Sequence, residues 1–153
     1  MKTLFVYCSS DSVINSLCRE SAFRRAGDNS LQLAACRKSF LKSFLGNRGK
    51  ENIHSTYDIS MESFDRIIIA CDEFAGVLPV CVTNFIEDFD FRYKTIDCII
   101  FGEGRFAAKA KDALKVKFSL SGGTVHSCVN VSSSRLKREA EDVLFSVRHS
   151  IAV

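Results

Sequence analysis

Four short stretches gather the hydroxyl, acidic, aromatic and glycine residues that could do chemistry, and each follows an apolar run. They are Ser9-Ser10-Asp11-Ser12, Asp72-Glu73-Phe74-Ala75-Gly76, Phe101-Gly102-Glu103-Gly104-Arg105-Phe106 and Ser132-Ser133-Ser134. Serines at a helix start bring hydroxyls beside unpaired N–H groups, which is how an anion site is built and also how an ordinary helix is capped. Phenylalanines in loops offer flat apolar surface, to a ligand or to the loop itself. Glycines make turns and let backbone approach a neighbour closely.

Other chemistries find no support. His54, His126 and His149 show no metal-ligand spacing, and neither a P-loop nor a nucleophile elbow is present. The seven cysteines, an odd number without a C-x-x-C pair, argue against a disulfide framework. Cys8, Cys71, Cys98 and Cys128 fall in or at the end of apolar runs, where free cysteine packs as a small hydrophobe, so a reducing cytoplasm is expected. A thiol at a helix N-terminus would be the reactive exception, and no local motif selects one.

The elements that must position these stretches read as alternating strands and helices. Thr3–Cys8, Arg66–Cys71, Ile96–Phe101 and Val125–Val131 are short, almost continuously apolar runs, the pattern of parallel strands covered on both faces. Helical spacing appears in Val13, Leu17, Ala22 and Phe23, in Val82, Phe85, Ile86 and Phe89 after Pro79, from Ala107 to Leu114, and from Leu136 to Ile151. Between Leu31 and Asn52 the positions of Leu33, Cys36, Phe40 and Phe44 favour an extra helix, which moves the fifth strand to an alternating edge segment at Ile53–Ile59. The expectation is one α/β domain over residues 1–153 with right-handed crossovers.

Length and composition agree with that reading: 153 residues, 46% hydrophobic and 25% charged, describe an ordinary globular domain. No apolar run approaches the ~20 residues that cross a bilayer, and the start does not read as a secretory signal. Nine basic residues face three acidic ones over residues 1–50, against twelve and fifteen thereafter. The basic segment Arg37 to Lys50 carries aromatics that read as core, which suits a solvated helix face better than a nucleic-acid reader.

In order, spacing and content, these segments resemble the short-chain flavodoxins. Lys2 to Ser10 is similar to the family's first strand and phosphate loop. Phe64 to Ile69 followed by Phe74-Ala75-Gly76-Val77-Leu78-Pro79 resembles its central strand and first flavin loop, and Phe101-Gly102-Glu103-Gly104 resembles its second. The resemblance implies a flavodoxin-like, doubly wound, five-stranded parallel sheet in the order 2-1-3-4-5. It also implies noncovalent flavin mononucleotide (FMN) and electron transfer to a partner protein or small acceptor. Ser9, Ser10 and Ser12 would then serve the phosphate, Phe74 and Phe106 the flavin ring, and Ala75, Gly76, Gly102, Glu103 and Gly104 the ring edge.

The phosphate loop departs from the family pattern. The family commonly carries a glycine and further hydroxyl or amide residues where this chain has Asp11-Ser12-Val13-Ile14. Asp11 either repels a phosphate or fills the anion site itself as a helix cap, and Asp72 and Glu73 stand where neutral residues are usual. Weak or lost flavin loading is therefore expected. The alternatives to electron transfer are a flavin-free interaction module and a flavin-dependent reductase of quinone-like acceptors.

Overall fold

A computed structural model describes residues 1–26, 29–33 and 59–138. The four apolar runs form strands β1 (Thr3–Cys8), β3 (Arg66–Asp72), β4 (Thr95–Phe101) and β5 (Thr124–Val131), and Ser30–Gln32 forms β2. All pair in parallel, in the order β2-β1-β3-β4-β5. Side chains alternate across such a sheet, so each strand feeds two cores. Leu4, Val6 and Cys8 point into one, with Ile67, Ile69, Cys71, Cys98 and Ile100. Phe5 and Tyr7 point into the other, with Ile68, Ala70, Ile99 and Phe101.

Helices cover both faces. Helix α1 (Ser12–Ala26) lays Ile14, Cys18 and Ala22 on the second core. Helices α2 (Val80–Asp88) and α3 (Gly104–Leu120) cover the first with Val82, Phe85 and Ile86 and with Ala107, Ala110, Leu114 and Phe118. Helix α4 (Ser133–Arg138) begins the last expected helix, whose remainder lies outside the described residues. Among the described residues no helix is long and apolar enough to cross a membrane.

Two expectations need correction. The edge position beside β1 is held by Ser30–Gln32: Leu31 and Leu33, expected to open a helix, lie in β2 and just after it. Backbone bonds secure this edge, with the Phe5 N–H donating to the Asn29 carbonyl at 3.0 Å and the Leu33 N–H to the Tyr7 carbonyl at 2.8 Å. A strand of three residues is too short to display alternation, and hydrogen bonding to β1 stabilises it where a local pattern does not. Ile59 lies outside any strand, while 53–58 and the expected extra helix beyond Leu33 lie outside the described residues. Helix α3 also begins at Gly104 rather than Ala107, which places Phe106 in its first turn instead of a loop.

Candidate functional site

In a parallel sheet the crevice beyond the strand C-termini is where loops and helix starts converge. Pairing of Cys8 with Cys71 puts Ser9, the residue after β1, beside Asp72, the last residue of β3. The Asp72 carboxylate accepts the Ser10 N–H at 2.8 Å, the Ser9 hydroxyl at 2.8 and 2.9 Å, and the Ser10 hydroxyl at 3.2 Å. Asp11 caps α1, its Oδ1 accepting the N–H groups of Val13 at 2.9 Å and Ile14 at 3.3 Å. Asn15 closes the loop from within the helix, accepting the Ser9 N–H and donating to the Ser9 carbonyl. Ser12 is exposed at the first position of α1, and its carbonyl accepts the Ser16 hydroxyl.

This loop already has its anions. Burial raises the Asp72 carboxyl above its usual value, Ser9 and Ser10 pull it back down through their hydrogen bonds, and the Asp11 charge raises it further. Asp72 was legible in sequence only as an acidic residue after a strand. Its reach into the serine loop depends on β1 pairing with β3.

The two other loops abut. Phe74 and Val77 exchange backbone hydrogen bonds at 3.0 and 2.9 Å, closing a two-residue turn in which Ala75 and Gly76 have φ of 50° and 81°. Positive φ at both centres is the type I′ pattern. Glu73 braces this turn, accepting the Gly76 N–H at 2.8 Å, and its side chain also lies against Gly102, where an added Cβ would sit 2.8 Å from the Glu73 Cγ. Gly102 is thus a close-approach glycine, and only Gly76 and Gly104 of the three expected glycines take positive φ. The turn also meets α3, since a Cβ on Gly76 would stand 2.6 Å from the Lys109 Cδ.

Phe74 at the turn and Phe106 at the start of α3 remain 53% and 41% exposed, and the Arg105 guanidinium lies 5.0 Å from the Phe106 ring centre. The Glu103 Oε1 accepts the hydroxyls of Ser132 and Ser134 and ties α3 to the β5–α4 turn. Among the described residues no group of His, Cys, Asp and Glu is placed to hold a metal ion.

The FMN implied by the resemblance can be tested against these residues. The ring end fits, with two exposed aromatics on abutting segments. The phosphate end does not. The Ser10 N–H and the Ser9 and Ser10 hydroxyls bond to Asp72, while the Val13 and Ile14 N–H groups bond to Asp11. A phosphate there would displace two carboxylates or face them, and each pair of unit charges ~5 Å apart at an effective dielectric of ~20 repels by roughly 3 kcal/mol. A helix terminus returns about 0.3–2 kcal/mol, so repulsion wins.

No protein-family model and no curated protein matches the sequence. Solved structures do match. A flavoprotein in complex with FMN from Lactobacillus acidophilus NCFM aligns with TM-score 0.62 and 13% identity, over 92% of this chain and 99% of that one. The Streptococcus pneumonia TIGR4 flavodoxin aligns with TM-score 0.53 and 18% identity, over 87% of each chain. A short-chain flavodoxin associated with a non-canonical PDU bacterial microcompartment aligns with TM-score 0.51 and 14% identity, over 86% of each. Strand order, flanking helices and these neighbours together make this chain a protein of flavodoxin-like fold.

Proposed function

We propose that the protein binds a flavin noncovalently at this crevice, recognising the ring system and not a 5′-phosphate, and that it serves electron transfer to a redox protein or a small acceptor. The observation that carries the reading is the exposure of Phe74 and Phe106 on segments held together by Glu73–Gly102 and Lys109–Gly76 packing. Large aromatics left in water at a strand-end crevice suit a flat apolar ligand. The FMN complex of the Lactobacillus acidophilus relative supports a flavin as the class of ligand. The redox chemistry belongs to the flavin when bound, and the chain contributes the stacking surface and the turn beside it.

A second reading, a flavin-free interaction module that keeps the fold, is favoured by one observation: Asp72 and Asp11 occupy the donors of the serine loop. Fluorescence titration with riboflavin and with FMN separates the two. Under the first reading riboflavin is quenched, and FMN binds no more tightly than riboflavin. Absence of quenching by either at on the order of a few hundred micromolar selects the second.

A further inference from the structure

Cys8 ends β1, Cys81 is the second residue of α2, and their sulfurs lie 2.9 Å apart across 73 residues of sequence. A disulfide bond measures ~2.05 Å, so the two thiols need to close by less than about 1 Å. Their environments differ in the way a reactive pair requires. Cys8 is buried at 1% exposure, whereas Cys81 is partly exposed.

Helix α2 starts after Pro79 without a side-chain cap, and the Val82 N–H donates to the Pro79 carbonyl at 3.0 Å. Contact with the Cys8 sulfur, followed by the nearby backbone N–H groups of Val82 and Cys81, holds the Cys81 thiol below its ordinary value against burial and the Asp72 charge. The same contact, then burial, drives Cys8 far upward, with Cys71, Cys81 and Asp72 adding to it. Cys81 is the more exposed of the two and is the one a dissolved reagent meets first, with Cys8 buried beside it.

We propose that Cys8 and Cys81 form a redox-active dithiol, with Cys81 the attacking sulfur, Cys8 the resolving one, and a low-molecular-weight disulfide the oxidant. The Cys81 thiolate attacks one sulfur of the small disulfide; a bond forms to Cys81, the substrate S–S bond breaks, and the first small thiolate leaves with the electron pair. Cys8 then attacks the Cys81 sulfur, its proton passing to the second small thiolate as that thiolate is expelled. Two protein thiols lose two electrons, and one small disulfide becomes two thiols on protonation. The step needs no flavin, so it stands apart from the function proposed above.

The test uses the full chain, reduced and then exposed to oxidised glutathione, with the cysteines mapped by mass spectrometry of a non-reducing digest. A Cys8–Cys81 disulfide is expected in the unsubstituted chain. Cys8→Ser should accumulate glutathione on Cys81 as a lasting mixed disulfide, and Cys81→Ser should leave Cys8 unmodified, with far-UV circular dichroism checking that each variant folds. Iodoacetamide at pH 7 should alkylate Cys81 in the unsubstituted chain about tenfold faster than Cys18 or Cys71. A chain that stays reduced, a disulfide mapped elsewhere such as Cys98–Cys128, or equal alkylation of Cys81 and the buried thiols would each overturn the proposal, whatever the variants do.

Discussion

The carboxylate of Asp72 accepts the backbone N–H of Ser10 at 2.8 Å, so the end of β3 supplies an anion to the loop that follows β1. An N–H group at a helix start attracts negative charge from whatever source is nearest, and here the source is covalently part of the fold. An internal carboxylate loses no translational freedom on arrival, which gives it an advantage over a free phosphate.

Neutralising this loop should therefore admit phosphate. Asp72→Asn combined with Asp11→Thr removes both charges while keeping side chains that accept hydrogen bonds. FMN affinity should rise on the order of tenfold, about 1.4 kcal/mol after solvent screening, and riboflavin affinity should change little. Isothermal titration calorimetry with both ligands measures the difference. An equal gain for the two would show that the loop acts through shape, and no gain would remove it from the ligand site.

Asp72 should also leave a mark on stability against pH. Burial raises its carboxyl above the ordinary value of 3.8, so the native state holds this proton more tightly than the unfolded chain. The resulting stabilisation is complete below the unfolded value and is lost as pH rises through the native one. Urea denaturation of the unsubstituted chain and of Asp72→Asn, from pH 3.5 upward, should show the substituted chain gaining in relative stability across that window. A constant difference between the two would contradict the assignment.

Asp97 tests the sheet itself. It is wholly buried, its Oδ2 lies 2.6 Å from both Nε and Nη2 of Arg66, and its Oδ1 lies 3.2 Å from the His126 Nδ1. Asp97→Ala leaves the mostly buried Arg66 guanidinium without its carboxylate and should cost about 3–5 kcal/mol. Replacing both, as Arg66→Met with Asp97→Leu, should cost less than Asp97→Ala alone, and the two denaturation midpoints decide.

Ala75 is a residue with a side chain at φ 50°, next to Gly76 in the turn beside Phe74. Left-handed backbone costs a non-glycine residue about 1–2 kcal/mol, partly offset by the greater freedom glycine loses on folding. Ala75→Gly should stabilise the protein by roughly 0.5–1 kcal/mol, read as a higher thermal midpoint; a lower midpoint would show that the Ala75 methyl packs favourably.

Four of the five strands, the helical stripe from Val13 and the helix start after Pro79 are legible in the sequence alone. Strands buried on both faces must be nearly all apolar, and helices covering them must repeat every three to four residues, so these patterns are local. The sequence also carried the three loops, since serines, glycines and phenylalanines follow those strands directly. Tertiary structure alone decided β2, whose three residues show no period and are held by bonds to β1. It decided that Phe106 sits in a helix and that Gly102 serves a close approach to Glu73. Above all it decided which partners meet: Asp72 with Ser10, 62 residues apart, and Cys8 with Cys81, 73 apart. The register between β1 and β3 and the seat of α2 on the sheet bring these pairs together, and no local pattern in a chain can encode a contact that only long-range packing creates.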